Sequence, residues 1–174
     1  GQYPGIVTPI VLGSDGSGTV TAIQDGHEKW VGQDVIVNPS LHWGDNPAFQ
    51  SESFSILGLP ENGTLASMVD VPIENLFHKP AHLTHEQAAA LPLAGVTAWR
   101  ALVTRGRCQP GDTVLISGIG GGVALFAMQF AKSMGCKVVV TSSQESKLEL
   151  AKKAGADDGI LYTQENWRKT LAKA

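Results

Sequence analysis

VLISGIGGGVALFAMQF, residues 114–130, decides the fold. An apolar run from Val114 to Ile116 leads through Ser117 into Gly118, Gly120, Gly121 and Gly122, and an amphipathic segment follows at once. Glycine lets a backbone turn tightly and lets a ligand come close. A helix that opens directly after such a turn presents free N–H groups and the positive end of its dipole. Strand, glycine turn and helix in that order make the pyrophosphate corner of a dinucleotide-binding unit, with small Ala124 placed for close helix contact.

Working outward, Val138 to Val140 and Gly159 to Leu161 are further short apolar runs without alternation, the pattern of parallel strands covered on both faces. The intervening segments carry helical spacing at Val123, Phe126, Ala127, Phe130, Ala131 and Met134, then at Leu148, Ala151 and Ala154. Gly135 and Gly155 stand where left-handed helix caps are wanted. From Gly111 onward the expectation is βαβαβ, the first half of a doubly wound α/β sheet.

Upstream, β-branched runs at 18–24, 34–38 and 64–71 are separated by turn residues and predict an irregular β region. Residues 44–62 read as one long polar loop. Thr84 and Gln87 have the spacing of a capping box that opens a helix, and Pro92 is expected to split the following helical segment in two.

The chain has 174 residues, 43% hydrophobic and 17% charged, with a formal charge of −3. That composition supports a folded core and gives no basic face for nucleic acid or an anionic membrane. No apolar run reaches the roughly 20 residues of a membrane helix, and the opening, GQYPGIVTPIVLGSDGSG, lacks the regions of a signal peptide. Position 1 is not Met, which suggests a fragment or a processed chain. Cys108 and Cys136 form no CxxC motif, so neither a disulfide framework nor a zinc cluster is signalled, and a reducing, cytoplasmic compartment fits.

The end of the second strand, Thr141, Ser142 and Ser143, has no Asp or Glu for a ribose diol. Without that carboxylate a 2′-phosphate meets no repulsion, and Lys147 lies one helical turn further on as its counter-charge. NADP(H) is therefore the expected cofactor. Glu145 could be a displaced ribose acid, or Ser142 and Glu145 could form a capping box. In the second case the phosphate passes to Ser143 and Lys147, so the division between the two serines stays open.

The sequence resembles the medium-chain dehydrogenase/reductase superfamily on its zinc-free, quinone-reductase-like side. The resemblance runs through LGSDGSGTV (12–20), VGQDVIVNP (31–39), GTLASMVDVP (63–72), KPAHLTHEQAAALPLAGVTAWRAL (79–102) and PGDTVLISGIGGGVALFAMQFAKSMGCKVVVTSS (110–143). It implies part of a GroES-like catalytic domain over residues 1–90 and the first half of a Rossmann domain over 91–174. About 50 residues would precede Gly1, and the second set of Rossmann strands would follow Ala174. Carried over by position, Gly121, Gly122 and Val123 line the pyrophosphate and nicotinamide side. Ser142 and Lys147 meet the 2′-phosphate, Tyr162 packs beside it, and Thr97 approaches the nicotinamide end.

The zinc-dependent branch has Gly-His-Glu where this chain reads Gly13-Ser14-Asp15, and neither Leu93 nor Ala94 replaces its later cysteine ligand. A catalytic zinc needs three N, S or O ligands, so no metal site is expected. Residues 44–62 hold no cysteine for a structural zinc. Gly26-His27-Glu28 is expected in a surface turn, and His42, His78, His82 and His85 in solvated or capping roles. Both cysteines are expected to be inert, and no side chain qualifies as a catalytic acid; Asp15 and His42 are candidates only to line the cleft.

The implied reaction is hydride transfer from NADPH to a quinone, enal, enone or other carbonyl acceptor, by a protein that is a homodimer at full length. The residues of this chain alone would hold the adenosine end of the cofactor without turning it over. The alternatives are a zinc-dependent alcohol dehydrogenase with ligands outside this chain, and a non-catalytic NADPH-binding protein.

Overall fold

Asp34-Val35-Ile36-Val37 alternates polar and apolar positions, and in the computed structural model, which describes residues 8–172, this segment is the middle strand of a sheet. The chain forms two units, Gly1–Leu93 and Ala94–Ala174.

The first unit holds β1 (Gly16–Thr19), β2 (Asp34–Val37), β3 (Ser40–Leu41), β4 (Ser55–Leu57), β5 (Pro60–Glu61) and β6 (Leu76–His78). One antiparallel sheet has the order β1-β2-β6, with Gly16 opposite Val37 and Val37 opposite Leu76. The other has the order β3-β4-β5. Val37 of the first sheet and Leu41 and Leu57 of the second form the small buried cluster of this unit, with Val71 and Leu76 packed against them. Asn75 is buried and fastens the chain between β2 and β3, its Nδ2 donating to the carbonyls of Asn38 and Ser40, each at 2.8 Å.

A short helix, α1 (His85–Ala89), closes the unit. Its capping box is formed as expected: Gln87 N donates to Thr84 Oγ1 at 3.3 Å, and Thr84 N donates to Gln87 Oε1 at 3.1 Å.

Three expectations fail in this unit. Of the run 18–24, only Gly18 and Thr19 lie in a strand. The run 64–71 forms none, and Leu65 and Met68 in it are strongly exposed, because β-branched composition makes a strand only where a partner strand is at hand. Conversely the expected loop at 44–62 contains β4 and β5, which are too short to show a period.

The second unit takes over within α2 (Pro92–Trp99), whose first residue is the proline expected to divide the helical segment. Arg100–Arg105 continues as a π-helical turn. Then come β7 (Thr113–Ile116), α3 (Gly122–Ser133), β8 (Lys137–Ser142), α4 (Glu145–Lys153), β9 (Asp158–Leu161) and α5 (Trp167–Leu171). The sheet is parallel with the order β7-β8-β9, the expected βαβαβ arrangement, and α5 was not foreseen.

β8 is paired on both sides, and Val138, Val139 and Val140 in it are fully buried. Two-sided cover explains why its apolar run does not alternate. From α3 the core takes Met128 and Ala131, and from α4 Leu148 and Ala151. Val123 and Ala154, which the helical spacing assigned inward, are exposed. Gly135 and Gly155 have φ of +81° and +113°, so both helices end through left-handed glycines.

Candidate functional site

The carboxyl end of β7 opens into the glycine turn, which is pinned to the neighbouring strand. Gly118 N donates to Thr141 Oγ1 at 3.2 Å, and Ile119 N donates to the carbonyl of the same residue at 2.8 Å. Gly118 and Gly120 have φ of +68° and +135°, a region closed to side-chain-bearing residues without strain. Gly121 is the N-cap of α3 and no side chain caps the helix there. The first-turn N–H groups therefore have no intrahelical acceptor and sit at the positive end of the dipole.

Added Cβ atoms at Gly118 and Gly121 would meet open space, so a ligand has room above both. Gly122 is different: its Cβ would stand 3.2 Å from that of Ala94, and the missing side chain lets α2 and α3 approach. Thr97 lies one turn beyond Ala94 on α2 and is exposed. An open cavity of about 790 Å³ runs along β7 to this corner, lined there by Ser117, Gly121, Gly122 and Val123.

Lys147, in the first turn of α4, reaches back over the same corner. A Cβ built on Gly120 would lie 3.2 Å from Lys147 Cδ and 3.5 Å from Nζ. The only lysine of that helix turn is thus laid against the glycine turn.

The two serines at the end of β8 separate. Ser142 is buried, and its Oγ accepts from Gln144 N at 3.1 Å, a local turn closed by the hydroxyl. The N-cap of α4 is Gln144 and makes no side-chain cap. The capping box between Ser142 and Glu145 is therefore not formed; the hydroxyl takes the nearer N–H two residues on, which leaves Glu145 exposed in the first helical turn. Ser143 is exposed beside it. Tyr162 N donates to the carbonyl of Ser142 at 3.1 Å, which brings the half-exposed Tyr162 ring to the same end of the sheet.

The structure thus brings Gly118, Gly120, Gly121, Gly122, Val123, Ser142, Ser143, Lys147 and Tyr162 to the carboxyl ends of three adjacent parallel strands. Ligands of open α/β sheets bind outside that edge. The position of Lys147 over Gly120 was not legible beforehand.

In the first unit, Asp15 Oδ1 accepts from Leu93 N at 2.8 Å, and its backbone carbonyl accepts from Thr64 Oγ1. Burial pushes its carboxyl above the ordinary aspartate range, against the lowering effect of the Leu93 N–H. It anchors the start of α2. His42 has φ of +55° and is exposed, with its carbonyl held by Ser51 Oγ at 2.6 Å. Gly26-His27-Glu28 is an exposed turn closed by Gly26 N donating to Glu28 Oε1 at 2.8 Å.

His78 stacks on Trp30, and His85 Nδ1 meets Ser17 Oγ at 2.8 Å with Asp34 3.6 Å from Nε2. Among the described residues no group of three or more His, Cys, Asp or Glu is placed to hold a metal ion, and no helix is long and apolar enough to cross a membrane.

Residues 1–81 match the family described as alcohol dehydrogenase GroES-like domain, and residues 122–174 match the zinc-binding dehydrogenase family. The chain belongs to the medium-chain dehydrogenase/reductase superfamily. Within that superfamily it is 37% identical to the zinc-type alcohol dehydrogenase-like protein YogA of Leptosphaeria maculans, over 97% of this chain and 51% of the relative. It is 33% identical to a quinone oxidoreductase of Pseudomonas aeruginosa, over 95% of this chain and 45% of the relative.

A crystal structure of an NAD-dependent alcohol dehydrogenase matches with a TM-score of 0.90 and 39% identity, over 98% of this chain and 52% of that one. The chain spans about half the length of the curated relatives it matches. Its two units are the GroES-like and Rossmann-like parts of the superfamily fold.

Proposed function

We propose that this chain is the cofactor-holding part of an NADP(H)-dependent oxidoreductase that passes hydride to a quinone, enone or other carbonyl acceptor without zinc. The observation that carries the cofactor reading is Lys147 laid over Gly120, at a strand end that offers Thr141, Ser142 and Ser143 in place of a carboxylate. The residues fit a dinucleotide: the first turn of α3 has no side-chain cap, and open space at Gly118 and Gly121 flanks Gly120, against which the Lys147 side chain lies.

The N–H groups of Gly121, Gly122 and Val123 bind the pyrophosphate, with Gly118 and Gly120 shaping the turn. Ser143 and Lys147 hold the 2′-phosphate, and the Tyr162 ring packs beside it. Buried Ser142 positions the Ser143 backbone through its bond from Gln144 N. Thr97 and Val123 stand toward the nicotinamide end. When bound, the cofactor supplies the hydride; the protein fixes its orientation and keeps water out.

Zinc independence rests on Ser14, Leu93 and Ala94, none of which matches the ligand set of the zinc-dependent branch. The zinc and NAD in the names of relatives belong to those proteins. We further propose a homodimer in the cytoplasm for the full-length protein. Elemental analysis of the full-length protein, together with its NADPH oxidation against a panel of quinones and enones, tests the reading. Turnover without stoichiometric zinc is expected, since a catalytic zinc needs three protein ligands; one firmly held zinc per chain, or binding without any turnover, overturns it.

A second reading follows from the exposed Glu145, which is free of the capping box and could meet the ribose hydroxyls of NAD. Glu145→Gln separates the two. It leaves NADPH affinity unchanged or raises it under the first reading, and lowers NADH affinity under the second.

A further inference from the structure

Cys108 and Cys136 are separated by 28 positions, and nothing in their spacing pairs them, yet their Sγ atoms lie 3.2 Å apart. We propose that these two thiols are a reversible oxidation site that closes to an intramolecular disulfide. The pair is separate from the cofactor corner: it sits before β7 and β8, while the glycine turn lies beyond their other ends.

The approach of the sulfurs is built into the backbone on both sides. Cys108 N donates to the carbonyl of Leu102 at 3.2 Å, and Cys136 N donates to that of Ala131 at 3.0 Å. The two segments are also laced to each other, by Gly111 N to the Gly135 carbonyl at 3.2 Å and by Lys137 N to the Asp112 carbonyl at 2.9 Å. Cys136 Sγ has the Gln109 carbonyl as a further acceptor at 3.3 Å. Bond formation at roughly 2.05 Å therefore asks for a short movement of two side chains rather than of two segments.

The thiols differ in access. Cys108 is 7% exposed and Cys136 2%. Cys108 is the thiol that meets an oxidant first, and Cys136 is the one that resolves. Burial, with the neighbouring sulfur, pushes the Cys108 thiol up to about 11, so it is a slow nucleophile and not a catalytic one.

With a hydroperoxide as oxidant, Cys108 sulfur takes the terminal oxygen to give a sulfenic acid and releases an alcohol or water. Cys136 sulfur then attacks that sulfur, forms the S–S bond and expels hydroxide, which leaves as water with the Cys136 proton. Two thiols lose two electrons and two protons, and the peroxide bond takes them up. A dithiol reductant reverses the change by exchange.

The test is prolonged exposure of this chain to excess hydrogen peroxide, followed by tryptic mapping without reductant. Cleavage after Arg107, Lys132 and Lys137 gives peptides 108–132 and 133–137, each with one cysteine. The expected product is these two peptides joined with the loss of two hydrogens, separating on treatment with dithiothreitol. The oxidised chain melts roughly 5 °C or more above the reduced one, because the bond restricts the unfolded state.

Two free thiols remaining after treatment overturn the proposal, as does a sulfinic acid on Cys108 beside an unmodified Cys136. Cys136→Ala supplies the control: over-oxidation of Cys108 without any rise in melting temperature. The wild-type peptide map decides the matter even if that variant folds poorly.

Discussion

In the Rossmann-like unit one connected cluster of buried residues runs from Leu102 to Ala156, with members from β7, α3, β8 and α4; in the GroES-like unit the buried cluster is Val37, Leu41 and Leu57. The difference follows from how each unit finds its neighbours. A βαβ crossover brings strand, helix and strand together from contiguous sequence, so each local pattern is satisfied by what comes next. The antiparallel sheet takes its neighbours from far along the chain, as in the pairing of Val37 with Leu76. Its strands are short, and Leu65, Met68 and Phe77 remain exposed. A unit of the first kind carries its stability within itself, and one of the second kind spreads it over distant pairings.

The two cores should differ most in what a truncation costs. Met128→Ala removes a fully buried side chain from the larger cluster and is expected to cost about 3 to 5 kcal/mol. Leu57→Ala, among fewer buried neighbours that can settle into the space, is expected near 2 kcal/mol. Urea unfolding followed by circular dichroism measures both; equal losses would mean that cluster size does not set local stability.

The next effect sharpens the contrast between binding and folding. Lys147→Ala is expected to weaken NADPH binding by roughly 1.5 to 3 kcal/mol, the worth of a hydrogen bond to a charged group, while leaving unfolding unchanged. Calorimetric titration with NADPH and NADH checks it, and a loss that is equal for the two cofactors would move Lys147 from the 2′-phosphate to the pyrophosphate.

Two glycines of the turn divide along the same line. Gly120→Ala meets a φ of +135° and Lys147 Cδ at 3.2 Å, so it is expected to cost roughly 1 to 3 kcal/mol of stability and displace the lysine. Gly121→Ala has φ of −92° and open space around it; stability is kept and pyrophosphate affinity falls. Thermal melts and titrations on the two variants separate backbone demand from ligand room.

The smallest effects are in pH. The Lys132 ammonium, then the Val138 N–H, hold the Asp157 carboxyl below the ordinary aspartate range. Its contribution is therefore present above that range and is lost as pH falls through the lowered value in the fold. Asp157→Asn should melt a little below wild type at neutral pH, with the gap closing in acid. Asp15 in the GroES-like unit is raised by burial, and the sign reverses: its charge works against the fold once pH rises past the unfolded value. Asp15→Asn keeps an acceptor for Leu93 N and should be neutral or slightly stabilising at pH 7. Melting curves across acid to neutral pH test the pair.

What could be read in advance follows the same division. Gly118 and Gly120, the runs of β7 to β9, the Thr84 and Gln87 box and the break at Pro92 are local signals with local causes, and each is found in place. β6 and β4 were illegible because three residues show no period, and the run at 64–71 misled because composition cannot say whether a partner strand is near. Within the site, the Ser142 capping box failed because a hydroxyl can reach either of two nearby N–H groups, and sequence does not rank them. Lys147 over Gly120 and the meeting of Cys108 with Cys136 depend on how separate crossovers stack, and no spacing rule reports that.

The corner formed by the glycine turn, Ser143 and Lys147 is proposed to recognise a 2′-phosphate. Its most direct test is an amide-resolved NMR titration of this chain with 2′-phospho-ADP-ribose and with ADP-ribose. The phosphorylated ligand is expected to bind at least about tenfold tighter, as one charge-assisted hydrogen bond implies, with the largest shifts at residues 118–123 and 143–147. Equal affinities, or shifts centred elsewhere, would contradict it.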